Sequence, residues 1–275
     1  MGGVIVAGVD GSEFSSAAVA EAAREALSRR AELRVVHALV PPPMPAHVPM
    51  DPSPLGPPAT VFQDAAERVV RESVEHARRT APQVNVTGAV LQGDAVSVLE
   101  LQSRTADLVV VGPRGTGGFI GMLLGSTAVF LAAHGQCPVM VVREQPDPSG
   151  PVVLGVDGSA AGAKAVDFAF AEAELRGAEL VALYAHKGRS GTADESMDPT
   201  AVLAGHRQSR PDVPVRHALV HGDPREALID AGRTASLTVV GSRGMGGFRG
   251  LLLGSVSQAL LQHAHSPVAV VRGTG

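Results

Sequence analysis

Two stretches of this 275-residue chain place glycine, serine, threonine and arginine where an anion could be held. They are LVVVGPRGTGGFIGMLLGST at 108–127 and LTVVGSRGMGGFRGLLLGSV at 237–256. Gly112, Gly115, Gly125 and Ser126 of the first recur as Gly241, Gly244, Gly254 and Ser255 of the second, each 129 positions on. Glycine backbone lacks a Cβ, so its N–H groups can turn inward and approach a bound anion closely. Gly125-Ser126 and Gly254-Ser255 stand where a helix should begin, and the N–H groups at that end carry partial positive charge. A phosphate there gains about 0.3–1 kcal/mol from the dipole, besides its hydrogen bonds. Ser126 and Thr127 add hydroxyls, and Arg114 and Arg243 add a cation at the same loop position. Glycines kept only for tight turns and helix packing would explain one such loop better than two of identical spacing.

A second motif repeats with the first. GVDGS at 8–12 returns at 155–159, an offset of 147. Three commoner chemistries fail on spacing. Gly121–Ser126 (GMLLGS) has no lysine, which disfavours a P-loop NTPase. A dinucleotide fingerprint should follow the first strand, and this loop follows the fourth. No G-x-S-x-G elbow presents a hydrolase nucleophile.

The elements that must position these motifs alternate. Val4–Val9 is an apolar β-branched run, as in a strand buried on both faces. Ser12–Arg30 reads as a helix with Ser12 or Ser15 as N-cap, and Leu33–Leu39 as a second strand. Residues 41–58 hold nine prolines in eighteen positions, which neither helix nor sheet accommodates, so an exposed, semi-rigid excursion is expected. Val61–Thr80 resumes as an amphipathic helix. Val84–Leu91, Asp94–Arg104, Leu108–Val111, Ser126–His134 and Pro138–Val142 then read as strand, helix, strand, helix and strand. After the linker EQPDPSGP at 144–151 the pattern restarts. The offset falls from 147 to 129 between the second and third strands, so the second copy lacks 18 residues there. Only weak periodicity remains in His186–Asp212. The reading is α/β, with two tandem Rossmann-like domains over 1–145 and 151–275, each a parallel sheet flanked by helices. Ligands of such sheets sit beyond the strands' carboxyl ends, where both motifs lie.

Composition narrows the partners. A net charge of −4, with one Tyr and no Trp, disfavours nucleic acid. No apolar run of about 18 residues calls for a membrane span. The single cysteine, Cys137, rules out an intramolecular disulfide and fits a reducing cytoplasm, as does a start (MGGVIVAGVDGS) without a basic region or cleavage site. The ten histidines form no metal-spaced cluster; His217 and His221 share a strand face at long separation. Asp94 and Asp223 are expected to cap helices.

The spacing G-x2-G-x9-G-[S/T] after an apolar strand resembles the ATP-binding branch of the universal stress protein family. A VDGS turn after strand one and CPV or SPV before the last strand belong to the same pattern. The likeness covers nearly the whole chain as two copies, weakest over 41–60 and 186–212. It implies a five-stranded sheet of order 3-2-1-4-5 in each domain and one ATP per domain, its magnesium held through the phosphates. Gly8, Asp10 and Ala38, with Gly155, Asp157 and Ala185, would border adenosine. Gly112, Arg114, Gly115, Gly117 and Gly118 would line ribose and phosphates, as would Gly241, Arg243, Gly244, Gly246 and Gly247. Ser126 and Thr127 after Gly125, and Ser255, Val256 and Ser257 after Gly254, would donate to phosphate oxygens. The last strands would pair across a two-fold axis as an internal pseudo-dimer, and chains would dimerise again. The function expected is a cytoplasmic, nucleotide-dependent regulator of the stress response acting on a protein partner, with no catalytic residues. The alternative is a slow ATPase or nucleotidyl-transfer enzyme in the same crevices. The copies differ at Pro113/Ser242, Ile120/Arg249 and Thr127/Val256.

Overall fold

The structure is a computed structural model that describes residues 2–40, 59–117, 124–143, 148–159, 162–186, 199–244 and 252–273. The proline-rich stretch, the middle of each glycine loop and positions 120 and 249 lie outside the described residues.

The first half runs β1 (Val4–Val9), α1 (Glu13–Arg29), β2 (Glu32–Leu39), α2 (Ala59–Thr80), β3 (Val86–Gln92), α3 (Ala95–Ser103), β4 (Leu108–Val111), α4 (Ser126–His134) and β5 (Val139–Val141). The second runs β6 (Val152–Gly155), α5 (Ala163–Arg176), β7 (Leu180–His186), α6 (Pro199–Ser209), β8 (Val215–His221), α7 (Pro224–Ala231), β9 (Leu237–Gly241), α8 (Ser255–His263) and β10 (Val268–Val271). Three helix starts have a side-chain cap. Ser12 Oγ accepts from Ser15 N–H at 3.1 Å and starts α1. Asp94 accepts from Ser97 N–H at 3.0 Å for α3, and Asp223 from Arg225 N–H at 2.9 Å for α7. The expected caps are therefore in place.

Each half is a parallel sheet of order 3-2-1-4-5, and the two are fused into one ten-stranded sheet, β3-β2-β1-β4-β5-β10-β9-β6-β7-β8. The seam is the one antiparallel pairing among the described residues, with Val139 opposite Val270, Met140 opposite Ala269 and Val141 opposite Val268. Period-2 alternation between two covered faces explains why the central strands, such as β1, β4 and β10, are apolar throughout. Ile5, Ala7, Leu108 and Val110 face a core under α1, α2, α5 and α6, while Val6, Val109 and Val111 face one under α3, α4, α7 and α8. Both cores continue across the seam.

The weakly periodic stretch of the second half does contain a helix, α6. It buries Leu203 completely, and the ring of His206 stacks on Phe170 at 5.4 Å.

Two further contacts cross between the halves. Arg143 Nη1 donates to the Leu261 carbonyl at 2.9 Å, and Arg272 Nη1 to that of His134 at 3.3 Å. Each half thereby supplies a cation to the last turn of the other's helix, where carbonyls lack partners. On the opposite face, α1 meets α5 through an ionic cluster. Arg29 pairs with Glu25 and Glu172; Arg176 pairs with Glu25, with Glu21 at 3.1 Å and with Glu172 at 3.2 Å. Glu25 and Arg29 lie 147 positions before Glu172 and Arg176, so the duplicated helix meets its own copy.

Candidate functional site

Each half has a cavity of about 550 Å3 beyond the carboxyl ends of its strands. That volume falls within the usual range for small-molecule and cofactor sites. One end is apolar, walled by Val36, Ala38, Leu99 and Val111 in the first cavity and by Leu183, Ala185, Leu228 and Val240 in the second. The other end is the glycine loop and the start of α4 or α8.

Those two helix starts differ from those of α1, α3 and α7, and share a glycine N-cap with α5. The N-caps are Gly125 and Gly254, and neither supplies a side-chain hydrogen bond. The first-turn N–H groups of α4 and α8 thus have no side-chain cap, unlike those of α1, α3 and α7. They open into the cavities beside Ser126 and Thr127, or Ser255 and Val256. Both loops are closed by the same bond: Gly125 N–H donates to the Pro113 carbonyl at 2.7 Å, and Gly254 N–H to that of Ser242 at 2.8 Å. An open helix terminus next to a glycine loop can receive an anion by hydrogen bonds and by its dipole.

Asp10 joins the first strand's turn to the loop. Its Oδ1 accepts from Ser12 Oγ at 2.7 Å and from Ser12 N–H at 3.1 Å, and its Oδ2 accepts from the N–H of Thr116. A Cβ on Gly115 would overlap that Oδ2, so glycine here is what lets a carboxylate reach the loop backbone. In the second half Asp157 accepts from Ser159 Oγ at 2.7 Å and from Ser159 N–H at 2.9 Å, and a Cβ on Gly244 would overlap its Oδ2. Gly8 and Gly155 meet the apolar end: their added Cβ atoms would lie 2.7 Å from Leu99 and 2.9 Å from Leu228.

Burial alone would raise the Asp10 carboxyl. Hydrogen bonds from the Ser12 hydroxyl and from the N–H groups of Thr116 and Ser12 outweigh burial and hold its pKa below the ordinary 3.8. A group with a depressed folded pKa stabilises fully above its unfolded pKa and loses that contribution as pH falls through the folded value. Asp10→Asn is therefore expected to flatten the decline of stability below about pH 4. Urea midpoints at pH 3 and pH 6 for both proteins check this: an equal drop in the two would contradict it.

Every expected site residue among the described ones lines a cavity: Gly8, Asp10, Ala38, Gly112, Arg114, Gly115, Gly117, Gly125, Ser126 and Thr127 in the first, and Gly155, Asp157, Ala185, Gly241, Arg243, Gly244, Gly254, Ser255, Val256 and Ser257 in the second. Gly118, Gly246 and Gly247 fall outside the described residues. The Ser257 hydroxyl is buried and points to the carbonyls of Gly254 and Ser242, at 2.9 and 3.2 Å. Its single proton serves the loop. The apolar wall was the part missed; Leu99 and Leu228 follow the Gly-Asp caps by the same interval, and that repeat was the available signal.

Arg114 lies over the ring of Phe14, 4.6 Å from its centroid. Such a contact contributes about 0.5–1 kcal/mol and orients the guanidinium. Cys137 is half-buried and its thiol is pushed up to about 12 by that burial, which leaves no thiolate for nucleophilic work at neutral pH. Among the described residues there is no group of three or more His, Cys, Asp or Glu able to hold a metal, and no helix long and apolar enough to cross a membrane.

The model of the universal stress protein family matches residues 1–143 and again 149–272. Two universal stress proteins of Mycobacterium tuberculosis are 37% and 35% identical to this chain. The alignments cover 98% of it and 94% and 96% of theirs. One from Mycolicibacterium smegmatis is 35% identical, over 98% of this chain and 96% of the relative. A solved universal stress protein of Archaeoglobus fulgidus has the same fold, with a TM-score of 0.73, 20% identity, and 99% and 97% of the two chains covered. By two independent matches of its halves and by full-length relatives, this chain belongs to the universal stress protein family.

Proposed function

We propose that the protein binds one ATP in each of its two cavities and works as a nucleotide-dependent regulator. The observation that carries this reading is the pair of uncapped helix starts opening beside glycine loops into matching cavities with apolar far ends. The base would lie against the Leu99 or Leu228 wall and the phosphates against Ser126 or Ser255, with magnesium held through the phosphates. We further propose domains bounded at 1–145 and 151–275, a cytoplasmic location, dimerisation of the tandem chains, and a regulatory protein partner that reads nucleotide occupancy.

Binding without turnover is favoured over the ATPase alternative by the state of Asp10. A general base should sit near the operating pH and be able to reach the attacking water. Asp10 has a lowered pKa and three hydrogen bonds already made. Calorimetry with ATP and magnesium tests the reading, with about two equivalents per chain expected. Ligand at a hundred times its Kd should stabilise the fold by about 2.7 kcal/mol per site. The absence of both binding heat and ligand-induced stabilisation would sink it, and ADP accumulating well beyond stoichiometry would favour the enzyme.

A further inference from the structure

The apolar ends of the two cavities are built on one frame. A Cβ added to Gly8 would lie 2.7 Å from Leu99 and 3.1 Å from Val111; on Gly155 it would lie 2.9 Å from Leu228 and 3.0 Å from Val240. These walls therefore stand at nearly the same distance from the strand that opens each half, and Ala38 has the identical Ala185 as its counterpart. Two other lining positions differ. Val36 on β2 is matched by Leu183 on β7, and Ala95 at the start of α3 by Pro224 at the start of α7. Leucine is longer than valine by a methylene, and the proline ring outsizes the alanine methyl group. Val36 and Leu183 are both buried, so neither has solvent to turn into. On an unchanged frame in a close-packed interior, the added carbons take room from the cavity. The two volumes are nonetheless equal, at about 550 Å3. The second cavity thus keeps less of its room at the apolar end and more elsewhere.

Resting on the nucleotide reading above, we propose that Val36 and Ala95 let the first cavity accept an adenine enlarged by a small apolar substituent, while Leu183 and Pro224 restrict the second to the unsubstituted base. One chain then offers two nucleotide sites of different base tolerance. In an apolar pocket a single methylene changes discrimination by about 10–200-fold, so these two differences suffice to separate the sites.

The test titrates the full chain calorimetrically with ATP, 2-methylthio-ATP and N6-methyl-ATP, which enlarge the base at different edges. The readout is the ratio of analogue to ATP affinity at each site, so a variant that weakens all nucleotides alike does not mimic the effect. In wild type at least one analogue should bind one site as ATP does and the other about tenfold more weakly or worse. Leu183→Val with Pro224→Ala should raise the weak site to the level of the strong one. Val36→Leu with Ala95→Pro should bring the strong site down. Proline is tolerated at the first position of a helix, and Asp94 already has the extended backbone that a following proline requires. Analogues accepted or refused alike at the two sites of wild type, or a site preference that neither swap moves, overturns the proposal and leaves nucleotide binding intact. Failure of wild type to bind ATP at all overturns the nucleotide reading itself, and this proposal with it.

Discussion

Arg176→Ala is expected to destabilise the protein by about 3–5 kcal/mol, the usual cost of removing one partner from a buried ionic cluster. Glu21, Glu25 and Glu172 are 1%, 4% and 0% exposed, and Arg176 touches all three. Without it, Arg29 still neutralises Glu25 and Glu172, but Glu21 is left with Arg24 alone, at 2.8 Å on the helix surface. Three carboxylates would then share less positive charge in a place where water reaches them poorly. Urea unfolding measures the loss directly, and a change below about 1 kcal/mol would place the cluster among ordinary surface pairs. Combining Arg176→Ala with Glu172→Ala should cost less than the sum of the single changes, because both remove the same Arg176–Glu172 pair. The fold loses its seam on one face if the cluster fails, while β5–β10 pairing and the crossed Arg143 and Arg272 contacts remain.

The second large effect concerns binding. Gly115→Ala should weaken nucleotide binding in the first cavity by about 10–100-fold, corresponding to one or two lost bonds involving charge. The new Cβ overlaps Asp10 Oδ2, so either the carboxylate or the loop must withdraw and the Asp10–Thr116 contact breaks. The loop that carries Arg114 and closes on Gly125 then loses its tether to the first strand's turn. At ligand concentrations near the wild-type Kd, calorimetry should report about one site in place of two. Gly244→Ala should do the same to the second cavity through Asp157, and the double variant should bind at neither. Unaltered stoichiometry and affinity in Gly115→Ala would mean that the aspartate does not position the loop. Stability should change little, since the contact is at the cavity mouth and not in either core.

Much of this architecture was legible because it rests on local backbone demands. Apolar β-branched runs such as Val4–Val9 and Leu108–Val111 announce strands covered on both faces, and Asp94 and Asp223 announce helix starts through their own side chains. The glycines at 112, 115 and 125 and their copies are likewise legible, since few other residues allow such close backbone approach. Two copies at constant offsets turned weak single motifs into a strong joint one. The fused sheet was anticipated only through family resemblance. Three residues of paired strand carry no sign of direction, and antiparallel register at Met140–Ala269 is a property of two segments meeting.

By itself the sequence determined the alternation of elements, the duplication and the glycine–aspartate frame of both cavities, all written in neighbouring residues or fixed repeats. Tertiary structure alone decided three things. Glu25–Arg29 and Glu172–Arg176 look like ordinary helical i,i+4 pairs until α1 is laid on α5 and buries them. Ser257 shows no sign in the sequence that its hydroxyl faces the Gly254 and Ser242 carbonyls. Gly115 looks like a turn residue until Asp10, 105 positions away, occupies the space a Cβ would fill. Each depends on where a distant segment comes to rest, and spacing along the chain does not encode that distance.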